Sequence, residues 1–172
     1  LPSWLFLSSF EKLREILISS KGIDSLLHMG RGIFGVDWGS TAFIVRNGKS
    51  KTTGNYFKLH KRNFQHLYPE DIRDIFLKSI QYQDIKIDYD KYREGEVTSG
   101  IEKLISDNGL KVLYKTDQRD FSKIPGSPIG YWLSEKIFNL LGGDYKLGNI
   151  SNIITGMTTG NNIRFLRQWF EI

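Results

Sequence analysis

Cysteine is absent from the 172 residues, which excludes a disulfide framework, a thiolate nucleophile and cysteine-ligated zinc. Histidine is scarce, at His28, His60 and His66 only, so a histidine-rich metal centre is excluded and no metal is expected. Proline is equally thin: Pro2, Pro69, Pro125 and Pro128 are the whole supply, and no two are adjacent. No apolar run reaches the roughly 18 residues that a membrane span needs, so no membrane partner is expected. The apolar opening, Leu1 to Leu7, has no basic flank and no small-residue cleavage site, and it does not read as a signal peptide. Opening on Leu1 and ending on Phe170-Glu171-Ile172, the chain reads as cut at both ends, with a cytoplasmic location expected. Internal repeats and low-complexity tracts are also missing.

Aromatic residues are plentiful: 11 Phe, 8 Tyr and 4 Trp supply a real core and rule out a disordered tail. With 40% hydrophobic and 25% charged residues the composition is that of an ordinary globular chain, long enough for one domain or the ends of two. The net charge of +5 favours a polyanionic partner only weakly.

Ser8-Ser9-Phe10-Glu11 has the form of a capping box, and Phe10, Leu13, Ile16 and Leu17 follow at helical spacing, predicting a helix to about Ser20. Ile23 to His28 reads as a short buried strand. The glycine-rich link Gly30–Gly35 follows, then a second strand, Thr41–Arg46, ending at the turn dipeptide Asn47-Gly48. Tyr56–His60 alternates weakly as a third strand. Pro69-Glu70-Asp71 is a helix start, with Ile72, Ile75, Phe76 and Ile80 as its apolar stripe. Residues 84–108 read as a charged connector, Leu110–Tyr114 as a strand, and Ile124–Pro128 as a rigid turn. Ile129, Trp132, Leu133, Ile137, Leu140 and Leu141 then predict one amphipathic helix.

Gly30-x-Gly32-x-x-Gly35 matches the dinucleotide-binding fingerprint in its letters. That fingerprint works only where the third glycine opens a helix facing the pyrophosphate, and here a β-branched, aromatic strand follows. A mobile loop between two strands is the competing reading. Phe34, a large aromatic among glycines, is either a stacking platform for a base or a core anchor for the loop. Arg46, Lys49, Lys51, Lys58, Lys61 and Arg62, with Tyr56, Phe57 and Phe64 among them, form either a phosphate-tracking groove or a solvated hairpin surface. Thr158 to Asn162 with Arg164 and Arg167 offer donors to phosphates or base edges, or make a plain polar turn.

Several stretches resemble one family, in its order. Trp4 to Glu15 resembles the segment after the fifth sheet strand of large N6-adenine-specific DNA methyltransferases. Ile23–Gly30, Gly32–Gly35 and Ser40–Asn47 resemble their closing β-hairpin. Ile124–Ser134 and Gly156–Arg167 are similar to blocks of the phage-exclusion (BREX) branch and of type II restriction-modification relatives. The resemblance implies an α/β fold: part of a Rossmann-like methyltransferase sheet, its closing antiparallel hairpin, followed by a helical connector. It places the distal part of the catalytic domain at 1–66, the connector at 67–147 and the start of the target-recognition region at 148–172.

The family transfers a methyl group from S-adenosylmethionine to adenine N6 of a base flipped out of double-stranded DNA. By position, Phe34 is then the base-stacking aromatic. Arg31, Lys49, Lys51, Lys58, Thr159, Asn161, Asn162 and Arg164 are expected DNA contacts, and proteins of the same defence system possible partners. The family's N-P-P-Y turn is not in this chain, so no catalytic residue is assigned, and none is assigned to the cofactor. The chain is expected to be inactive alone. A non-catalytic DNA-recognition module working with a separate catalytic chain is the rival reading; an oxidoreductase piece using Gly30–Gly35 is a third.

Overall fold

In the computed structural model, residues 2–35, 38–48, 52–61, 67–92 and 100–143 are described. Their centre is a mixed four-stranded sheet, built from β1 (Gly22–Met29), β2 (Ser40–Arg46), β3 (Thr53–Lys58) and β6 (Leu113–Asp117), in the order β2-β1-β3-β6. β1 and β2 form an antiparallel pair from Gly22↔Arg46 to Met29↔Ser40, with one irregularity between Ile23 and Ser25. β1 runs parallel to β3, aligning His28 with Lys58, and β3 pairs antiparallel with β6. A small ribbon of β4 (Lys86–Ile87) and β5 (Leu110–Lys111) lies outside the main sheet. The span expected as a helical connector therefore holds strands as well, and one of them, β6, completes the main sheet.

Side chains alternate across β1 and β3, and the sheet is covered on two faces. On one, Phe57, Leu59 and Ile33 join α2 (Pro69–Gln81) through Ile72 and Ile75, together with Ile87, Tyr89 and Val112. On the other, Leu26 and Tyr56 meet Trp4, Leu5, Phe121, Ile129, Tyr131 and Phe138. Tyr56 stacks on Tyr131 with ring centroids 5.2 Å apart and an interplanar angle of 9°. Pro69 sits in the first turn of α2 with Glu70 and Asp71, as the sequence predicts, but Ile80 points to solvent and the buried face includes Asp71 and Ser79. Asp71 is satisfied there by the Tyr92 hydroxyl at 2.8 Å.

Two helices differ from their sequence patterns. α1 (Glu11–Ser20) has the predicted extent, but no side chain caps it, and the Ser8–Glu11 box does not form because Ser8–Phe10 is itself a 3-10 turn. Its inward residues are Arg14 and Ile18, while Leu13 and Ile16 face outward. The reason is Arg14. Its guanidinium, 1% exposed, donates to the carbonyls of Trp4 (2.9 Å), Leu7 (2.7 Å), Gly126 (2.6 Å) and Ser127 (3.1 Å). α3 spans only Glu135–Gly142, because Pro128, Gly130 and the turn bonding Leu133 N–H to Gly130 C=O hold the preceding residues out of the helix. Ile129 N–H is spent on Leu5 C=O at 2.9 Å.

Gln118 joins three elements: its Oε1 accepts from Ile23 N–H at 2.9 Å, and its Nε2 donates to Ile18 and Lys21 carbonyls. These elements lie in the unit Leu1–Gly142; of the second unit, Gly143–Ile172, only Gly143 is among the described residues. No helix among the described residues is long and apolar enough to cross a membrane.

Candidate functional site

The link after β1 is built by one residue turned in and one turned out. Ile33 is buried in the α2-side core, while its neighbour Phe34 is 82% exposed. Phe34 takes φ 61°, the left-handed region that a bulky side chain rarely occupies, between Gly32 at φ 80° and Gly35 at φ 68°. Gly35 N–H closes the turn on Gly32 C=O at 3.2 Å. The core anchor is Ile33, so the anchor reading of Phe34 does not hold. Trp38, 68% exposed, gives the same loop a second outward aromatic. Composition gave no reason to single it out, since a lone Trp is more often core.

The next described element after Gly35 is β2, antiparallel to β1, and among the described residues no helix stands between them. The phosphate-cradling geometry of the dinucleotide fingerprint is therefore missing, and Gly30–Gly35 does not fit a nucleotide cofactor's pyrophosphate. Nor do these residues fit the cradle of S-adenosylmethionine, since they supply no strand-to-helix turn.

Lys58 ends β3 opposite His28, at the carboxyl end of two parallel strands and the same end of the sheet from which the Phe34 loop emerges. Its Nζ lies 4.7 Å from the centroid of the Trp132 ring, and burial lowers its pKa. Arg31 stands partly buried at the start of the loop. Lys49, Lys51, Thr159, Asn161, Asn162 and Arg164 lie outside the described residues, as does the expected recognition region from 148. Of the site residues expected from the sequence, the structure thus brings Phe34, Arg31 and Lys58 to one end of the sheet. Among the described residues no three His, Asp or Glu side chains cluster as a metal site.

The opposite flank is apolar and open. Among the described strands β2 is an edge of the sheet, with Phe43 and Ile44 exposed and the Phe43 ring 5.0 Å from that of Trp4 between centroids. Leu13 and Ile16 of α1 and Leu140 and Leu141 of α3 are exposed as well.

An α/β unit with an aromatic-tipped loop at the carboxyl end of its sheet fits many proteins, and comparison with known sequences narrows the choice. Over 98% of its length the chain is 34% identical to adenine-specific methyltransferase PglX of Lacticaseibacillus casei (strain Zhang). Over its full length it is 28% identical to adenine-specific methyltransferase BrxX of Escherichia coli O9:H4 (strain HS). No family model matches the chain. The resemblance to adenine-specific methyltransferases read from the sequence is borne out: this chain is kin to one segment of them. It spans 12% of the length of each of these two relatives.

Proposed function

We propose that this chain is the distal part of the catalytic domain of a DNA adenine-N6 methyltransferase in a phage-defence system, and that it supplies the stacking face for the flipped adenine. The observation that carries the reading is Phe34, 82% exposed and at positive φ between two glycines at the carboxyl end of β1. Holding a large apolar ring out in water in a strained backbone conformation costs stability, so the ring needs a partner. A base taken out of the duplex offers a flat apolar face of matching size. Trp38 stands on the same loop as a second platform, and Arg31 and Lys58 supply positive charge for the flanking phosphates.

In this reading the β1–β2 pair is the closing hairpin of a larger Rossmann-like sheet. β2's open edge and the bare Phe43 and Ile44 receive its remaining strands. Residues 1–66 belong to that catalytic domain, 67–147 connect it while lending β6 to its sheet, and 148–172 begin target recognition. Double-stranded DNA is the substrate, proteins of the same defence system are partners, and the location is cytoplasmic. S-adenosylmethionine is the methyl donor, held by residues outside this chain, and the 172-residue chain transfers no methyl group alone.

The test is transfer of labelled methyl from S-adenosylmethionine to adenine in DNA by the intact open reading frame containing this chain, with Phe34→Ala alongside. Transfer lost by about tenfold or more in Phe34→Ala, at unchanged stability, is expected if the base stacks there. Transfer indifferent to Phe34→Ala removes the stacking role and leaves the family. The rival reading is a non-catalytic DNA-recognition module that works with a separate catalytic chain. DNA binding with no transfer by the intact protein would select it.

A further inference from the structure

The turn Gly32–Gly35 exposes Phe34 and buries one residue only. Gly35 N–H bonds Gly32 C=O at 3.2 Å, which makes Ile33 and Phe34 its two central residues. Phe34 stands in the second of these places with φ 61° and ψ 23°, a place that favours glycine. Phe34 and Gly35 are exposed and Gly32 is half-buried, while Ile33 is 6% exposed. Ile33 belongs to the core that also holds Met29, Phe57, Leu59 and Ile72.

The loop is tied at both ends as well. Met29 pairs with Ser40 at the end of the β1–β2 ladder. Next to Ser40, Gly39 lies so close to the Pro2 ring that an added Cβ would stand 3.0 Å from its Cγ. These ties fix where the loop starts and finishes, but not which way a ring within it faces.

The conformation of Phe34 has its cause in its neighbour. Gly32 and Gly35 have no side chain to hold, and the Phe34 ring is too exposed to hold itself. Consecutive side chains of so tight a turn point in different directions, so seating Ile33 in the core sends the next ring outward. Taking an isoleucine side chain out of water outweighs the strain of one residue in the left-handed region. Without that burial no contact described for the turn offsets the strain, and Phe34 relaxes to the regions that a bulky residue prefers.

We propose that Ile33 is a positioning residue for the methyl-transfer reaction, its buried side chain holding Phe34 outward to stack on the extruded adenine. The inference rests on the stacking role proposed for Phe34 and adds the residue that makes the platform rigid. Ile33 itself touches neither the DNA nor the methyl donor. It keeps the stacking-competent state populated before the base arrives, and transfer falls in proportion to any population lost there.

The test is methyl transfer to genomic DNA free of adenine methylation by the intact open reading frame, in a double-mutant cycle over Ile33 and Phe34. Ile33→Val and Ile33→Thr share a shape and a β-branch, and differ by a hydroxyl that resists burial. Ile33→Val is expected to retain about half of the transfer or more, and Ile33→Thr, folded, to lose about fivefold or more. In a Phe34→Ala background Ile33→Thr is expected to cost nothing further, because the ring that Ile33 positions is gone. Ile33→Ala takes the place of Ile33→Thr in the cycle if the hydroxyl prevents folding. Full transfer in the variant that breaks the anchor overturns the proposal. So does a loss of equal size with and without the Phe34 ring, which is what a plain loss of stability gives. If Phe34→Ala alone leaves transfer untouched, the stacking reading falls and this one with it, so that arm tells the two failures apart. No transfer by the native protein overturns both.

Discussion

The Tyr131 hydroxyl and His28 Nδ1 lie 3.0 Å apart, a hydrogen bond between two side chains that are both almost wholly buried. The burial of His28 sets how this part of the fold responds to acid. The folded pKa of His28, about 3, lies below the ordinary 6.5 because burial, then His60 and Lys58, penalise the cation. Above pH 6.5 the ring is neutral in both states and contributes no pH dependence. As pH falls from 6.5 toward 3 the unfolded chain takes up a proton that the folded chain refuses, and stability is lost. The slope from this one group approaches about 1.4 kcal/mol per pH unit. Urea midpoints measured across that window are expected to fall with acid in the native sequence and to fall less steeply in His28→Gln. Parallel curves would mean that His28 is not the buried neutral base.

Arg14 holds four carbonyls from two distant segments, the opening turns at Trp4 and Leu7 and the Gly126-Ser127 turn. Arg14→Met is expected to cost about 3–5 kcal/mol, because those carbonyls, one buried and three partly buried, lose a charged partner. Arg14→Lys is expected to recover little, since a point ammonium cannot span the planar fork of acceptors. Chemical denaturation of the two variants checks both statements, and a Lys variant as stable as the native chain would contradict the second.

Phe34 separates stability from function. Its φ of 61° is free of strain for glycine alone, and its ring has little to lose by truncation. Phe34→Gly is therefore expected to stabilise the chain, by up to about 1 kcal/mol, and Phe34→Ala to leave it within about 0.5 kcal/mol. Thermal midpoints decide the matter; a clear drop in either variant would show that the ring is packed.

Gly54 sits in β3 where a Cβ would come within 2.4 Å of the Ile23 carbonyl oxygen in β1. Backbone cannot yield there without parting the parallel β1–β3 ladder, so Gly54→Ala is expected to destabilise the fold by about 2 kcal/mol or more. A native-like denaturation midpoint for Gly54→Ala would show that the two strands are not so closely paired in solution.

The strands β1 and β2 were legible because their apolar runs are bounded by Gly22 and by the Asn47-Gly48 turn, signals that act locally. The start of α2 was legible from Pro69 and its two following carboxylates. Its face was not wholly legible, because Asp71 is buried by a bond from Tyr92, which no spacing along the helix reveals. α1 shows the same limit more sharply: Phe10, Leu13 and Ile16 make the more apolar stripe, yet the helix turns Arg14 inward, since its partners come from Gly126 and Ser127. The predicted helix from Ile129 ran too far upstream because hydrophobic period does not register a backbone N–H committed to Leu5.

At the site, the loop and the sheet end of Lys58 followed from local sequence. The inward turn of Ile33 beside the outward Phe34 did not, and neither did the meeting of His28, His60 and Trp132, which the register of β1 on β3 and the segment before α3 bring together.

That β3 is paired on its far side by β6 has a consequence for how the chain is made. Thr53 waits for Asp117 and Phe57 for Leu113, so β3 has only β1 beside it until the later strand is synthesised. Pairings between such distant segments are slow to form, and an unpaired strand edge is a template for other chains meanwhile. A nascent chain stalled or cleaved between Lys58 and Leu113 would therefore leave a sticky half-sheet. Closure of the four-stranded sheet therefore waits on β6, the last of its described strands in chain order.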